Sequence, residues 1–396
     1  MRIAITNPYC WPQVRRGSER LLHDLSHWLA NRGHDVTVIS SAPGHRRTEQ
    51  DGGVHRILVP QREPLRRRNR WLNSFHLFTV QVARELLRGQ FDAVFCLNYH
   101  DAFGALMARG SRTRFRLTYM MTGIAIPNMF RSVPLDGLMF AAVTRGSEGV
   151  ISVSGFARDA LHTHYGRPSW LLQSPTDTAP YLAQPKKVAD DRLDILFVAD
   201  VNEPRKGALL LARAFAIIRQ THPNATLAYS GQASPASIET IRAAVADDVS
   251  GGITFHGVGK VEELPALYAK STVFVNPAVW EAQGMVLVEA LAAGTPVVAC
   301  DHGGVTDIVS DPRIGRLFAP GEVGVASNNE TGLAEAILQA AVLARAPETA
   351  SLCRAHAASF GFDRLGPVYE AVITGAAEIP CAGTNVRRMK QPVIVA

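Results

Sequence analysis

The sequence predicts an α/β protein of two Rossmann-like domains, each built on a parallel sheet, that face one another across a cleft. Three observations predict it. Short apolar strands alternate with amphipathic helices from the second residue onward; a proline-rich stretch near the middle interrupts the alternation once; and it then restarts with the same pattern. A chain of 396 residues also exceeds one ordinary core and suits two domains of about 150–200 residues. With 47% apolar and 19% charged residues the chain is not disordered, and both domains can have real cores.

In the first half, RIAIT reads as a buried strand. A loop with Pro8, Pro12 and Gly17 follows, then a helix over 19–31, a stop at Gly33 and the strand VTVIS. The pattern recurs in RILV, in FDAVFCL after a helix over 80–87, in RLTYMMT, and in GVISVS ahead of a helix that starts near Phe156. The prolines of SPTDTAPYLAQPKKVADD, with no apolar period between them, read as a linker. DILFVAD opens the second series, which runs through a helix over 209–220, ATLAYSG, a helix over 237–246, ITFHG, a short helix over 262–269, TVFVNP, a helix ending near Ala293, PVVAC and the end helices. The expected boundaries are 1–175, a linker over 176–192, a second domain over 193–360, a closing helix over 361–375 that packs back on the first domain, and a tail over 376–396.

The net charge of +6 comes from basic and acidic residues interleaved over most of the chain. There is no basic stripe beside a reader motif, so no nucleic-acid partner is expected, and an anionic small molecule fits as well. Cys10, Cys96, Cys300, Cys353 and Cys381 are odd in number and lack CxxC or Cys/His metal spacing, as suits reduced thiols of a cytoplasmic protein. No run approaches the roughly 20 apolar residues of a membrane span, and the start reads as a strand rather than a signal peptide.

The most informative stretch is NPAVWEAQGMVLVEALAAGTPVVACDHGG, residues 276–304. A strand end leads into a loop with Glu281, a helix opens near Gly284, and Gly294 stops it. The amides of Gly284, Met285 and Val286 lack helical partners, and their partial positive charge suits a diphosphate or sugar hydroxyls. Gly284 lets a ligand approach the backbone. Glu289 lies more than one turn inside MVLVEALA, where a carboxylate needs a hydrogen-bonding partner. Taken singly, Glu281 is a charge at a helix start and Glu289 belongs to an exposed stripe. Taken together, at an E-x7-E spacing around a glycine and before the Gly303–Gly304 pair, they read as an anion and polyol site.

This stretch resembles the donor-site signature of the family 4 retaining glycosyltransferases of the GT-B fold, which include bacterial sugar transferases and phosphatidylinositol mannosyltransferases. The resemblance implies an acceptor domain followed by a nucleotide-sugar donor domain. It implies that Glu281 hydrogen-bonds the transferred sugar, Glu289 the ribose hydroxyls, and the Gly284, Met285 and Val286 amides the sugar and phosphate; Gln283, Gly17 and Asp200 complete the donor-binding set. In ADVNEPRKG, Lys206 matches the family's lysine before a glycine and is placed to neutralise a departing diphosphate, with Arg205 beside it.

The chain departs from the family's pattern at several points. Asp200 stands where an arginine is usual, so either Arg205 supplies the missing cation or Asp200 meets a different donor group such as an amine. Arg16 replaces the first glycine of the loop before Gly17. Thr122 replaces the histidine before Gly123, keeping a hydrogen bond but not the imidazole. LQSPTD replaces P-N-G-V-D, and Gly303, Gly304 and Asp307 fall where G-G-x-x-E is usual. Ser154 reads as a helix cap.

The resemblance therefore implies transfer of a sugar from a UDP or GDP donor to a small-molecule acceptor with retention, around Glu281, Lys206, Arg205 and Thr122, with no metal and no cofactor. A tailoring step on a specialised metabolite fits it; a lipid acceptor is the alternative. Residues 62–71, REPLRRRNRW, with Arg62 first and Trp71 last, precede Phe75, Leu77 and Phe78; they suit peripheral contact with the inner membrane face, a solvated loop or an anionic-acceptor pocket. His100, His162 and His164 look exposed but lack metal spacing. A non-catalytic nucleotide-sugar-binding protein is the rival that the changes at Arg16, Thr122 and Asp200 motivate. The E-x7-E segment favours a transferase over an epimerase or phosphorylase, and the first turn lacks the G-x-G-x-x-G of a dinucleotide oxidoreductase.

Overall fold

The computed structural model describes residues 1–61, 73–109, 114–126, 129–131, 133–186, 191–322 and 328–376. The basic run 62–71 and the tail beyond residue 376 lie outside the described residues. The chain forms two compact units, Met1–Pro175 joined by the segment from Phe362 onward, and Thr176–Gly361.

The first unit holds strands β1 (Arg2–Thr6), β2 (Asp35–Ala42), β3 (Arg47–Asp51), β4 (Val54–Pro60), β5 (Ala93–Cys96), β6 (Arg116–Met121), β7 (Gly149–Ser152) and β8 (Trp170–Leu171). They line up as β3-β4-β2-β1-β5-β6-β7-β8. All neighbours run parallel except β3, which returns antiparallel to β4. Ile3, Ala4 and Ile5 are wholly buried, because a parallel sheet is covered on both faces and its inner strands have no polar side. β3 escapes a periodicity reading for the opposite reason: RTEQD is an edge strand with no apolar residue.

The second unit holds β9 (Asp194–Val198), β10 (Thr226–Ser230), β11 (Ile253–Gly257), β12 (Val273–Asn276), β13 (Val297–Cys300) and β14 (Gly315–Phe318), in the order β11-β10-β9-β12-β13-β14 and parallel throughout. β14, GRLF, is too short and mixed to stand out in sequence. In this sheet the order reverses beside β9, and in the first sheet it reverses beside β1. Such reversals leave a crevice at the carboxyl ends of the two central strands, where open α/β sheets bind ligands.

Helix ends follow local chemistry. The Ser74–Arg88 helix starts earlier than its apolar period suggests, because Asn73 caps it: the Asn73 side chain accepts from the Phe75 and His76 amides, and His76 Nδ1 accepts from the Asn73 amide. Ser154 accepts the Ala157 amide at 3.1 Å and caps the Gly155–Tyr165 helix. The Phe362–Thr374 helix belongs to the first unit; its buried Tyr369 donates to the Gln173 carbonyl at 3.1 Å and meets Phe95 edge to face. Cys10, Cys96, Cys300 and Cys353 are buried free thiols.

Residues 176–186 are not a loose linker. Tyr181 is buried against Tyr268, with ring centroids 5.7 Å apart. Lys186 Nζ donates to the Ala269 carbonyl (3.0 Å), the Ser271 carbonyl (2.5 Å) and Thr295 Oγ1 (2.8 Å). Polarity and proline hid this segment, since one aromatic and one lysine do the anchoring. Burial lowers the Lys186 pKa to about 8, yet three acceptors remain around the ammonium. Lys186→Met is expected to destabilise the protein by about 2–3 kcal/mol, because those acceptors lose a charged donor. A urea midpoint unchanged from wild type would show that the Lys186 contacts contribute nothing.

Candidate functional site

The reversal between β9 and β12 brings together the loops that leave these two strands, 199–207 and 277–284. In the first loop, Asp200 Oδ1 accepts both the backbone amide and the side-chain amide of Asn202, each at 2.9 Å. Asn202 Oδ1 in turn accepts the Ser234 amide and the Ser237 hydroxyl, each at 2.8 Å. The turn Pro204–Lys206 then closes at Gly207.

Lys206 points from that turn to the second loop. Its Nζ lies 2.6 Å from Glu281 Oε2, and the two side chains are only 19% and 17% exposed. The backbone of Glu281 is held by the glycine pair that follows β13. The Gly304 amide donates to the Glu281 carbonyl at 2.8 Å. Gly303 has φ 84°, and a Cβ there would lie 2.8 Å from the same carbonyl oxygen, so only glycine fits.

Gly284, at φ 94°, opens the Met285–Ala292 helix, and no side chain caps it. The first-turn amides of Met285 and Val286 therefore keep their pull on an anion or hydroxyl. A Cβ at Gly284 would also crowd Leu287, Val305 and Glu281. Gln283 is buried beside it. One turn on, Glu289 Oε2 accepts the Tyr268 hydroxyl at 2.9 Å. Burial pushes the Tyr268 phenol far above its usual range, so it stays a donor. Tyr268 is the partner that a carboxylate in MVLVEALA requires, and no sequence signal marked it.

The structure thus brings Glu281, Lys206 and the Gly284 helix start together. Arg205 and Asp200 each have partners within their own loop. Arg205 does not join Lys206: its guanidinium lies 2.6 Å from Glu203 Oε2 within its own turn, an arrangement set by the tight Pro204 turn. Asp200 builds its loop through Asn202 rather than standing as a bare carboxylate. In the first unit, Gly17 opens the Gly17–Asn31 helix, which no side chain caps. Glu19 in its first turn is buried, accepts from Asn7 and Ser18, and has its pKa raised by desolvation. Thr122, just past β6, donates to the Leu97 carbonyl at 3.4 Å.

His100 is not exposed. It is buried under the stacked Phe75 ring, with its Nε2 3.4 Å from Asp136 Oδ1 and its Nδ1 3.0 Å from Asn98 Oδ1. The Tyr99–Arg109 helix packs closely on the Ser74–Arg88 helix, which covers that face. Burial lowers the His100 pKa to about 4, outweighing the pull of Asp136. With 6.5 as its ordinary value, the unfolded chain binds this proton first. Stability from His100 is complete above pH 6.5 and is lost as pH falls toward 4, by about 3 kcal/mol in all. His100→Gln is expected to flatten unfolding free energy across that window relative to wild type; an equally steep fall would remove His100 as the cause.

Solved structures share this architecture. Sucrose-phosphate synthase from Thermosynechococcus elongatus matches with a TM-score of 0.76 over 95% of this chain and 100% of its own, at 19% identity. A HepE protein from Anabaena, solved in complex with UDP, matches with a TM-score of 0.72 over 95% and 100%, at 18% identity. The fold is GT-B. The pattern described as "Glycosyltransferase Family 4" matches residues 15–179, and that described as "Glycosyl transferases group 1" matches residues 192–341. The chain belongs to the family 4 glycosyltransferases. A phosphatidyl-myo-inositol mannosyltransferase of Propionibacterium freudenreichii subsp. shermanii is 24% identical to it over 96% of both chains.

Proposed function

We propose that the protein transfers a sugar from a UDP or GDP donor to a small-molecule acceptor with retention of anomeric configuration, in the cytoplasm and without a metal, as a tailoring step. The observation that carries this reading is the Lys206–Glu281 pair at the β9/β12 reversal, next to an uncapped helix start. An ammonium has three protons: Lys206 can keep Glu281 and still reach a diphosphate oxygen. Glu281 then accepts a sugar hydroxyl, and Glu289, oriented by Tyr268, takes the ribose hydroxyls.

As the bond from the anomeric carbon to the diphosphate oxygen breaks, negative charge grows on the leaving group beside Lys206 and the Met285 and Val286 amides. The acceptor oxygen bonds to the same face of the sugar, and its proton passes to the leaving phosphate. Gly17, Glu19 and Thr122 belong to the unit assigned here to the acceptor.

A lipid acceptor is the second reading, favoured by the mannosyltransferase relative, whose name specifies phosphatidyl-myo-inositol. No helix among the described residues is long and apolar enough to cross a membrane, so such an acceptor would be met from the surface. The test is incubation with UDP-, GDP- and dTDP-sugars against water-soluble and lipid acceptors, reading nucleoside diphosphate release and the anomeric configuration of the product by NMR. Release that needs a water-soluble acceptor and leaves the configuration retained is expected. Failure of every donor, or an inverted product, overturns the proposal; consumption of lipid acceptors alone selects the second reading.

A further inference from the structure

We propose that His23, His27 and Asp51 form a binding site for one divalent transition-metal ion of the zinc, cobalt or nickel type on the first unit. One ligand atom from each of the three lies within 4.8 Å of the others. His23 and His27 are four residues apart on the Gly17–Asn31 helix and so share a face, with ring centroids 4.3 Å apart. Asp51 ends β3, at the edge of the sheet.

Hydrogen bonding prepares both rings for a metal. His27 Nδ1 lies 2.8 Å from the His23 carbonyl oxygen. A carbonyl only accepts, so Nδ1 carries the ring proton and Nε2 keeps its lone pair. His23 Nδ1 lies 2.9 Å from Asp24 Oδ1, which leaves its Nε2 a lone pair by the same reasoning. A carbonyl or carboxylate on the far ring nitrogen is the usual support of a metal-binding imidazole. Arg20 holds the other Asp24 oxygen at 2.6 Å, and Arg56 holds Asp51 Oδ2 at 3.2 Å. Asp51 Oδ1 is thereby turned toward His27 Nε2, at 3.6 Å. That is too long for a hydrogen bond, and in the neutral ring both atoms are acceptors.

Space and access agree. At Gly52 a Cβ would come 2.8 Å from His27 Cδ2, so the turn after β3 leaves room for this ring. The side chains of His23, His27 and Asp51 are 35%, 23% and 38% exposed, which admits an ion and water to complete its coordination. Two imidazoles and one carboxylate select zinc-like ions over calcium or magnesium, which take oxygen ligands. The buried trio His76, His100 and Asp136 does not compete on these terms: His76 Nδ1 accepts the Asn73 amide, so its Nε2 carries the proton. A metal at His23, His27 and Asp51 would tie the edge hairpin to the helix that Gly17 opens.

The test is calorimetric titration of tag-free, chelator-stripped protein with Zn²⁺ at pH 7.5, followed by Co²⁺ absorption spectra. Wild type is expected to bind one equivalent, with a Co²⁺ spectrum showing nitrogen ligation. His27→Gln and His23→Gln are expected each to weaken binding by about tenfold or more, and His162→Gln on the Gly155–Tyr165 helix to change nothing. No binding by wild type, or His27→Gln and His23→Gln both binding as wild type does, overturns the proposal; the partly exposed positions allow both variants to be checked for native circular dichroism first.

Discussion

Glu281→Gln is expected to lower turnover of sugar transfer by about 10²–10³-fold with the fold intact, the cost of removing one preorganised polar group from a transition state. The amide keeps the size of the side chain, and the backbone stays held by Gly303 and Gly304. What disappears is the negative charge. Glutamine accepts a sugar hydroxyl more weakly than a carboxylate does, and it no longer anchors Lys206 at 2.6 Å, so one change disturbs both the sugar and the leaving group. Nucleoside diphosphate release, measured over a range of donor concentrations, separates the two effects. A fall in turnover greater than the rise in donor KM is the expected pattern. Wild-type turnover with unchanged KM would remove Glu281 from the reaction.

Lys206→Met is expected to lower kcat/KM by about 10³-fold, more than any other single change in the loop over 199–207. Methionine fills the same space without the ammonium, so the diphosphate loses its nearest cation and Glu281 faces it unneutralised. Both donor affinity and turnover should fall. Arg205→Met is the control: its guanidinium is paired with Glu203 and 43% exposed, and exposed pairs contribute little. Near wild-type rates for Arg205→Met beside a large loss for Lys206→Met match the geometry. Equal losses would show that Arg205 leaves Glu203 when the donor binds and supplies the cation that Asp200 displaces.

Much of this arrangement was legible in the chain because it depends on backbone geometry. GTPVVAC and DILFV announce buried parallel strands, and the glycines at 284 and 303 stand where the backbone needs a positive φ or close approach. Glu281 and Lys206 could be read only through the E-x7-E spacing and the likeness of their loops to a family signature; taken singly, each is an ordinary charge at a turn or helix start. Side-chain partners were less legible. Nothing near residue 268 announces a hydroxyl for Glu289, because Tyr268 and Glu289 sit on separate helices with a strand between them, and helical periodicity does not pair residues across two helices. Asp200 reads as an intruding negative charge until Asn202 is seen to occupy it. His100 reads as exposed because YHDAF carries no sign that a neighbouring helix covers that face. Pairs set by tertiary packing are what one-dimensional periodicity omits.

A nucleoside diphosphate is expected to bind at the β9/β12 reversal. Calorimetric titration of UDP and GDP into wild type, Glu289→Gln, Lys206→Met and His162→Gln tests it most directly. One equivalent of UDP or GDP should bind to wild type and to His162→Gln alike. Each of the other two variants should bind at least about tenfold more weakly, the loss of a hydrogen bond to a charged group. Binding to neither nucleotide, or equal affinity in all four proteins, would contradict it.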